Sequence, residues 1–325
     1  MASVFDQFVG LAGESTYGTL VAPASFYEFQ SEGISGKYER IESEAVRAGT
    51  RVLRNDRWAP NPKGAEGDLK LEVLDKGFDL LLKHMLGAEA LGTPAGGFQT
   101  NTYTVGDLKG KSLSTQIGRA DNTGTIIPFH YKGGKVKGFE LSNAVDGILN
   151  LSLDMDYAGE LIGAGAGAQA LATPTYIAGT QLFTFVGGAV TIGGTEFAVS
   201  DASIKAENGL KTDRYFLRGV NGTTKKEPLE EGLREYTFEL KGEFEGVTHY
   251  NRVAASVAAN AVAAITLTWD SPQGGQLLVT LPFGRFDEGP VNADGMKIVE
   301  LNLSGKALTD GAASAITIAY KFPSP

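Results

Sequence analysis

Apolar and polar residues alternate in short runs along most of this chain, and two stretches switch to a helical period. Leu69, Leu71 and Val73 are interleaved with Asp68, Lys70 and Glu72, the period of two expected of a strand with one buried face. Just beyond, Phe78, Leu81, Leu82, Met85 and Leu86 fall at the three-and-four spacing of one helix face, and Gly87 is placed to end that helix. Upstream, Phe26 to Glu44 is predicted to be extended and is followed by a loop holding Pro60 and Pro62. Downstream, two further strands are predicted over Lys135–Leu141 and Ile148–Tyr157.

The same order then returns. An extended run, Glu196–Asp213, leads to a loop around Lys225, Lys226 and Pro228. Next comes a strand with Tyr236, Phe238 and Leu240 on one face and Glu235, Thr237, Glu239 and Lys241 on the other. A helical pattern follows, with Tyr250, Val253, Ala254 and Val257 on one face, and then strands at Ile265–Trp269, Gln276–Leu281 and Lys297–Ser304. Leu149-Asn150-Leu151-Ser152 is echoed literally by Leu301-Asn302-Leu303-Ser304. This order predicts a tandem duplication: a first domain over 1–160, a small-residue linker over 161–175 and a second domain over 176–325. The run Gly163-Ala164-Gly165-Ala166-Gly167 suits a linker. A phosphate-binding loop would need a surrounding βαβ unit and a placed lysine or acidic partner, and neither is in the sequence.

Composition narrows the chemistry. A length of 325 residues suits two domains of ordinary size or one large all-β domain, 42% hydrophobic residues suffice to bury real cores, and the 43 glycines are scattered among strand-like runs as turns would be. No apolar stretch reaches membrane-spanning length, so no membrane insertion is expected. Met1–Gly10 lacks a basic segment leading into an apolar one, and no signal peptide is expected. The absence of cysteine removes disulfides, thiolate nucleophiles and cysteine zinc sites. His84, His130 and His249 do not share a metal-ligand spacing. No metal, cofactor or catalytic residue is therefore expected. The carboxylate pairs Asp154/Asp156 and Asp287/Glu288 are weak candidates for glycoside hydrolysis: residues two apart on a strand are solvated neighbours, and adjacent ones face apart. His84, beside Leu81 and Met85, is expected to be structural. The net charge of −9 would repel nucleic acid on average.

Several segments resemble the tail tube (major tail) proteins of long-tailed bacteriophages. They include Tyr17-Gly18-Thr19, Phe26-Tyr27-Glu28-Phe29, Arg40-Ile41-Glu42-Ser43-Glu44, Gly77 through Gly87 and Ile117-Gly118-Arg119-Ala120-Asp121. The likeness continues through Glu207 to Leu217, Lys225 to Tyr236, Arg285-Phe286-Asp287, Lys306-Ala307-Leu308 and Ser314 to Tyr320. It covers nearly the whole chain and contains no catalytic signature. The resemblance implies a mainly β fold of tandem tail-tube-like β-sandwich or split-barrel domains, each with a short flanking α-helix. It implies self-association into rings whose inner strands form one β-barrel, with stacked rings making a virion tail tube after synthesis in the host cytoplasm. Genome DNA would pass through the lumen without specific binding. The other implied partners are the tape measure, tail terminator and tail tip proteins. A duplicated subunit would close as a trimer imitating a hexamer. Candidate lumen-facing residues are Glu39, Glu42, Glu44, Asp68, Glu72, Glu235, Glu239 and Glu243; the helix packing face is Phe78, Leu81, Leu82, Met85 and Leu86. Composition alone would equally suit a β-sandwich adhesin or a capsid-decoration protein.

Overall fold

The computed structural model describes residues 6–165, 167–217, 225–292 and 298–324. The chain is mainly β. Its first part holds β1 (Phe8–Glu14), β2 (Ser25–Tyr27), β3 (Phe29–Glu32), β4 (Ser35–Glu42) and β5 (Trp58–Glu72). Then come α1 (Asp79–Leu86), β6 (Gly87–Ala90), β7 (Phe98–Val105) and β8 (Ser112–Ala120). A long β9 (Ile126–Ala144) is followed by β10 (Asn150–Tyr157) and β11 (Gly159–Ile162).

The second part opens with β12 (Gly188–Ile192), β13 (Thr195–Glu196), β14 (Val199–Glu207), β15 (Leu210–Lys211) and β16 (Leu229–Glu230). It continues through β17 (Glu235–Glu243), α2 (Val247–Ala259), β18 (Ala263–Asp270) and β19 (Gln276–Glu288). It closes with β20 (Val291–Asn292), β21 (Glu300–Leu308) and β22 (Thr317–Pro323).

Each part contains one strand long enough to serve two sheets. The first half of β9 pairs with β8 and β11, and its second half pairs with β10. β19 divides in the same way, with β18 and β22 along its start and β21 along its end. The irregularities match too. Leu113 faces Gly134 and, across a bulge, Thr115 faces Tyr131; Ala263 faces Gly284 and, across a bulge, Ile265 faces Leu281. The same numerical interval separates each of these equivalents. Both glycines sit where the long strand leaves one sheet for the other. A Cβ on Gly134 would lie 2.8 Å from the Leu113 carbonyl oxygen, and one on Gly284 would lie 3.0 Å from that of Ala263. No side chain fits there without movement.

The remaining pairings also repeat. β5 lies against β10 as β17 lies against β21. β3 meets β5 across a bulge between Phe29 and Ser31, as β14 meets β17 across one between Val199 and Asp201. The echo of Leu149–Ser152 in Leu301–Ser304 is not the equivalent register. Asp154 and Ser304 precede the corresponding bulges, so Leu151 matches Leu301 and the echo is slipped by two. A slip of two keeps every side chain on its own face, and the sequence pattern is blind to it.

The two parts share their sheets. β9 pairs with β14 over Gly138–Ala144, and β7 pairs with β22. The range predicted as linker needs correcting at its start: Leu161 and Ile162 belong to β11, hydrogen-bonded to β9. Further on, Gln116 binds the Ala170 carbonyl and the Ala172 N–H. Small residues here permit close backbone packing against the sheet as well as freedom.

α1 ends at Gly87 in a left-handed conformation (φ 101°), and Phe78, Leu81, Leu82, Met85 and Leu86 are all buried. α2 turns a different face inward from the one its apolar spacing predicts. His249 and Ser256 are buried, whereas Tyr250 and Val257 are exposed. Polar bonds decide this orientation: Arg252 donates to the Ile192 carbonyl at 2.9 Å, and the Phe286 N–H donates to Ser256 Oγ at 3.2 Å. His249 packs against Phe197 with ring centroids 4.9 Å apart and the rings tilted by 40°.

Candidate assembly site

Because residues paired across a sheet share a face, the register tracks a surface from one part of the chain to the other. Lys70 faces Ser152, which faces Glu140, which faces Lys205, which faces Thr237. This row lies on a continuous polar face. Asp68 and Glu72 of β5 lie on it, as do Glu235, Glu239 and Glu243 of β17. Asp154, Asp201, Glu207 and Glu300 add to its acidity; Lys241 pairs with Glu300 at 3.1 Å and Lys306 with Glu235 at 2.5 Å. Acids outnumber bases across it. The opposite face of the same strands, including Leu69, Leu71, Leu151, Leu153, Phe238, Leu240 and Leu303, is core.

Three of the acidic residues singled out in the sequence lie elsewhere. Glu39 and Glu42 are carried on β4, which runs out with the start of β5 as an exposed hairpin, and Glu44 lies in the loop beyond it. This hairpin exposes Tyr38, Ile41, Val46, Val52 and Trp58 as well. Glu39 faces Lys63 at 3.8 Å. The structure thus gathers five of the eight residues on one face and sets three out on an arm.

The second arm, described over residues 208–217 and 225–234, folds down over the first part of the chain. Asn208 donates to the Met85 and Val136 carbonyls at 3.1 and 3.0 Å. Tyr215 Oη donates to the Lys63 carbonyl at 2.7 Å, and Arg234 to that of Leu86 at 2.9 Å. At its centre two lysines are almost wholly buried. Lys225 Nζ donates to Asp156 at 2.7 Å and to the Tyr157 carbonyl at 3.1 Å. Lys135 Nζ reaches Glu227 and the Leu108 carbonyl, each at 2.5 Å. Burial raises the Asp156 carboxyl above its ordinary range, even beside Lys225. Burial lowers Lys135, with Glu227 opposing it.

Of the joint residues, Lys135, Asn208, Lys225 and Glu227 carry no site signal in the sequence, and Asp156 enters there only as half of a weak carboxylate pair. A lysine in a polar loop and an acid at a strand end look like solvated charges; only the return of the arm buries them.

The carboxylate pairs do not converge on a reaction centre. Asp154 binds Lys137 at 2.9 Å while Asp156 is buried under the arm, and Asp287 is held by Arg285 at 2.7 Å. His84 is buried, its Nδ1 2.7 Å from the Leu80 carbonyl, and burial holds its pKa down at about 4. Among the described residues no group of three or more His, Cys, Asp or Glu is placed to hold a metal ion. No described helix is long and apolar enough to cross a membrane.

The family described as phage tail tube protein matches residues 5–320. The chain belongs to that family. No curated protein matches it. As a phage tail tube protein it has a structural role in the virion tail and assembles with copies of itself. The described surfaces that bear on such a role are the long polar sheet face, the exposed β4–β5 arm and the edges of the shared sheet.

Proposed function

We propose that this tail tube protein is a duplicated subunit, with tube domains over 1–160 and 176–325, and that three copies close a ring imitating sixfold symmetry. Rings stack into a tube whose lumen conducts genome DNA. The observation that carries this reading is the β9–β14 joint, which links two copies of one strand plan edge to edge in a single sheet. Similar units presenting similar edges rotate by similar angles, and the step inside the chain, repeated between chains, generates a closed ring.

The acidic sheet face forms the lumen wall in this reading. Asp68, Glu72, Glu235, Glu239 and Glu243 repel phosphates and let DNA slide without lodging. Glu39, Glu42 and Glu44 belong to the arm that meets neighbouring subunits. The tape measure protein fills the same lumen before DNA, and terminator and tip proteins cap the two ends. Catalysis and bound cofactors have no place in this scheme.

A symmetry-resolved electron-microscopic average of assembled tubes tests the proposal. Three chains per ring, with the β5–β10–β9–β14–β17–β21 sheet on the inner wall, is the expected result. Six chains per ring, or this sheet on the outside, overturns it.

A further inference from the structure

The internal joint specifies which edges meet between chains and in what register. The hydrogen-bonded positions of β9–β14 are fixed by Val145 N–H to the Ser200 carbonyl at 2.9 Å and Asn208 N–H to the Lys137 carbonyl at 2.7 Å. Even-numbered residues of β14 therefore bond to β9, and odd-numbered ones form the closer, non-bonded pairs. The repeated bulges make Ile34 the equivalent of Ile204, and Gly289 and Val291 the equivalents of Phe139 and Leu141.

Building on the ring reading, the geometry points to a head-to-tail contact in which residues 34–38 of one copy add antiparallel to residues 287–291 of the next. Ile34 bonds to Val291, Gly36 to Gly289 and Tyr38 to Asp287. Ser35 lies opposite Pro290, and Lys37 opposite Glu288.

Four observations support that register. Pro290, which has no N–H, falls at a non-bonded position where none is required. Lys37, paired with Glu66 in the single chain, falls opposite an acid, as Lys205 falls opposite Glu140 in the internal joint. Ile34 is turned outward from β5, since Gly33 N–H takes the Asp68 carbonyl at 2.8 Å. Its own N–H and carbonyl are capped by side chains: Glu32 accepts at 3.3 Å, while Arg119 and Tyr131 donate at 2.7 and 2.9 Å. An edge whose backbone is capped by side chains is guarded against stray pairing, and docking exchanges the long Glu32 bond for a backbone one. Finally, Asn208 touches the end of α1, so its equivalent Tyr38, 70% exposed, is brought to the end of α2, where Val257 is 78% exposed.

The chain has no cysteine, which makes cross-linking decisive. At a non-bonded antiparallel pair the Cα atoms lie about 4.5 Å apart, within disulfide reach. Full-length protein carrying Lys37→Cys with Glu288→Cys, oxidised under assembly conditions, should run as a covalent multimer on a non-reducing gel. Ser35→Cys with Glu288→Cys, two residues out of register, should remain monomeric. Separately, Lys37→Glu should lower the sedimenting fraction several-fold, and adding Glu288→Lys should restore it. Rings in micrographs with no cross-link, or with cross-linking of the shifted pair alone, overturn this contact and leave the tube reading standing. Absence of rings and tubes from unmodified protein overturns both.

Discussion

Lys225 donates to Asp156 across 2.7 Å, with both side chains almost wholly withdrawn from solvent. The lysine comes from the returning arm and the acid from the end of β10, so the pair ties the two parts of the chain. Charges buried this deeply contribute little net stability as a pair, yet leaving one unpaired is costly. Lys225→Met should lower unfolding free energy by about 3–5 kcal/mol. Adding Asp156→Leu should recover most of that loss, because no buried charge remains. Urea denaturation of the two single variants and the double variant measures the coupling.

His84 gives the fold a pH dependence. Its folded pKa of about 4 lies below the ordinary 6.5 because burial penalises the charged ring. Below 6.5 the unfolded chain binds a proton that the folded chain refuses. The contribution is therefore fully present above pH 6.5 and falls away as pH drops towards 4. The total loss is about 3 kcal/mol. His84→Asn should flatten this part of the pH–stability curve, as followed by denaturant midpoints across the range.

Leu82 lies in the buried face of α1 at 2% exposure. A helix this short depends on tertiary contact for its existence. Leu82→Ala should cost about 2–5 kcal/mol, read from the shift in unfolding midpoint. An unchanged midpoint would mean that the core does not depend on this contact.

The crossing glycines make a paired prediction. Gly134→Val and Gly284→Val should each destabilise by about 1–3 kcal/mol, since each Cβ meets backbone or packed side chain. Similar costs at both sites, measured by thermal unfolding, are expected if the two long strands cross between sheets in the same way.

The lumen assignment is testable through charge. Asp68→Lys with Glu239→Lys should leave stability within about 0.5 kcal/mol, as exposed substitutions do. Assembled tubes of this variant should retain DNA at low salt and release it as salt rises, whereas unmodified tubes should not. Filter retention across a salt series measures the difference.

Local pattern determined much of this protein. The period of two in Leu69–Val73 and Tyr236–Leu240 fixed which faces are core, because a strand's side chains alternate whatever it pairs with. The spacing of Phe78–Leu86 and the position of Gly87 fixed the first helix for an equally local reason. The absence of cysteine removed thiol chemistry outright, whatever the fold. The tertiary structure decided what depends on partners distant in sequence. Register is one case: the Leu-Asn-Leu-Ser echo preserves the face while missing the true equivalence by two residues. The orientation of α2 is another, since Arg252 and Ser256 find their bonds at Ile192 and Phe286 and leave Val257 outside. The joint between the two parts is the third. Lys135, Asp156 and Lys225 are ordinary charges in the sequence, and their burial arises only where a returning arm excludes water from charges it must then pair.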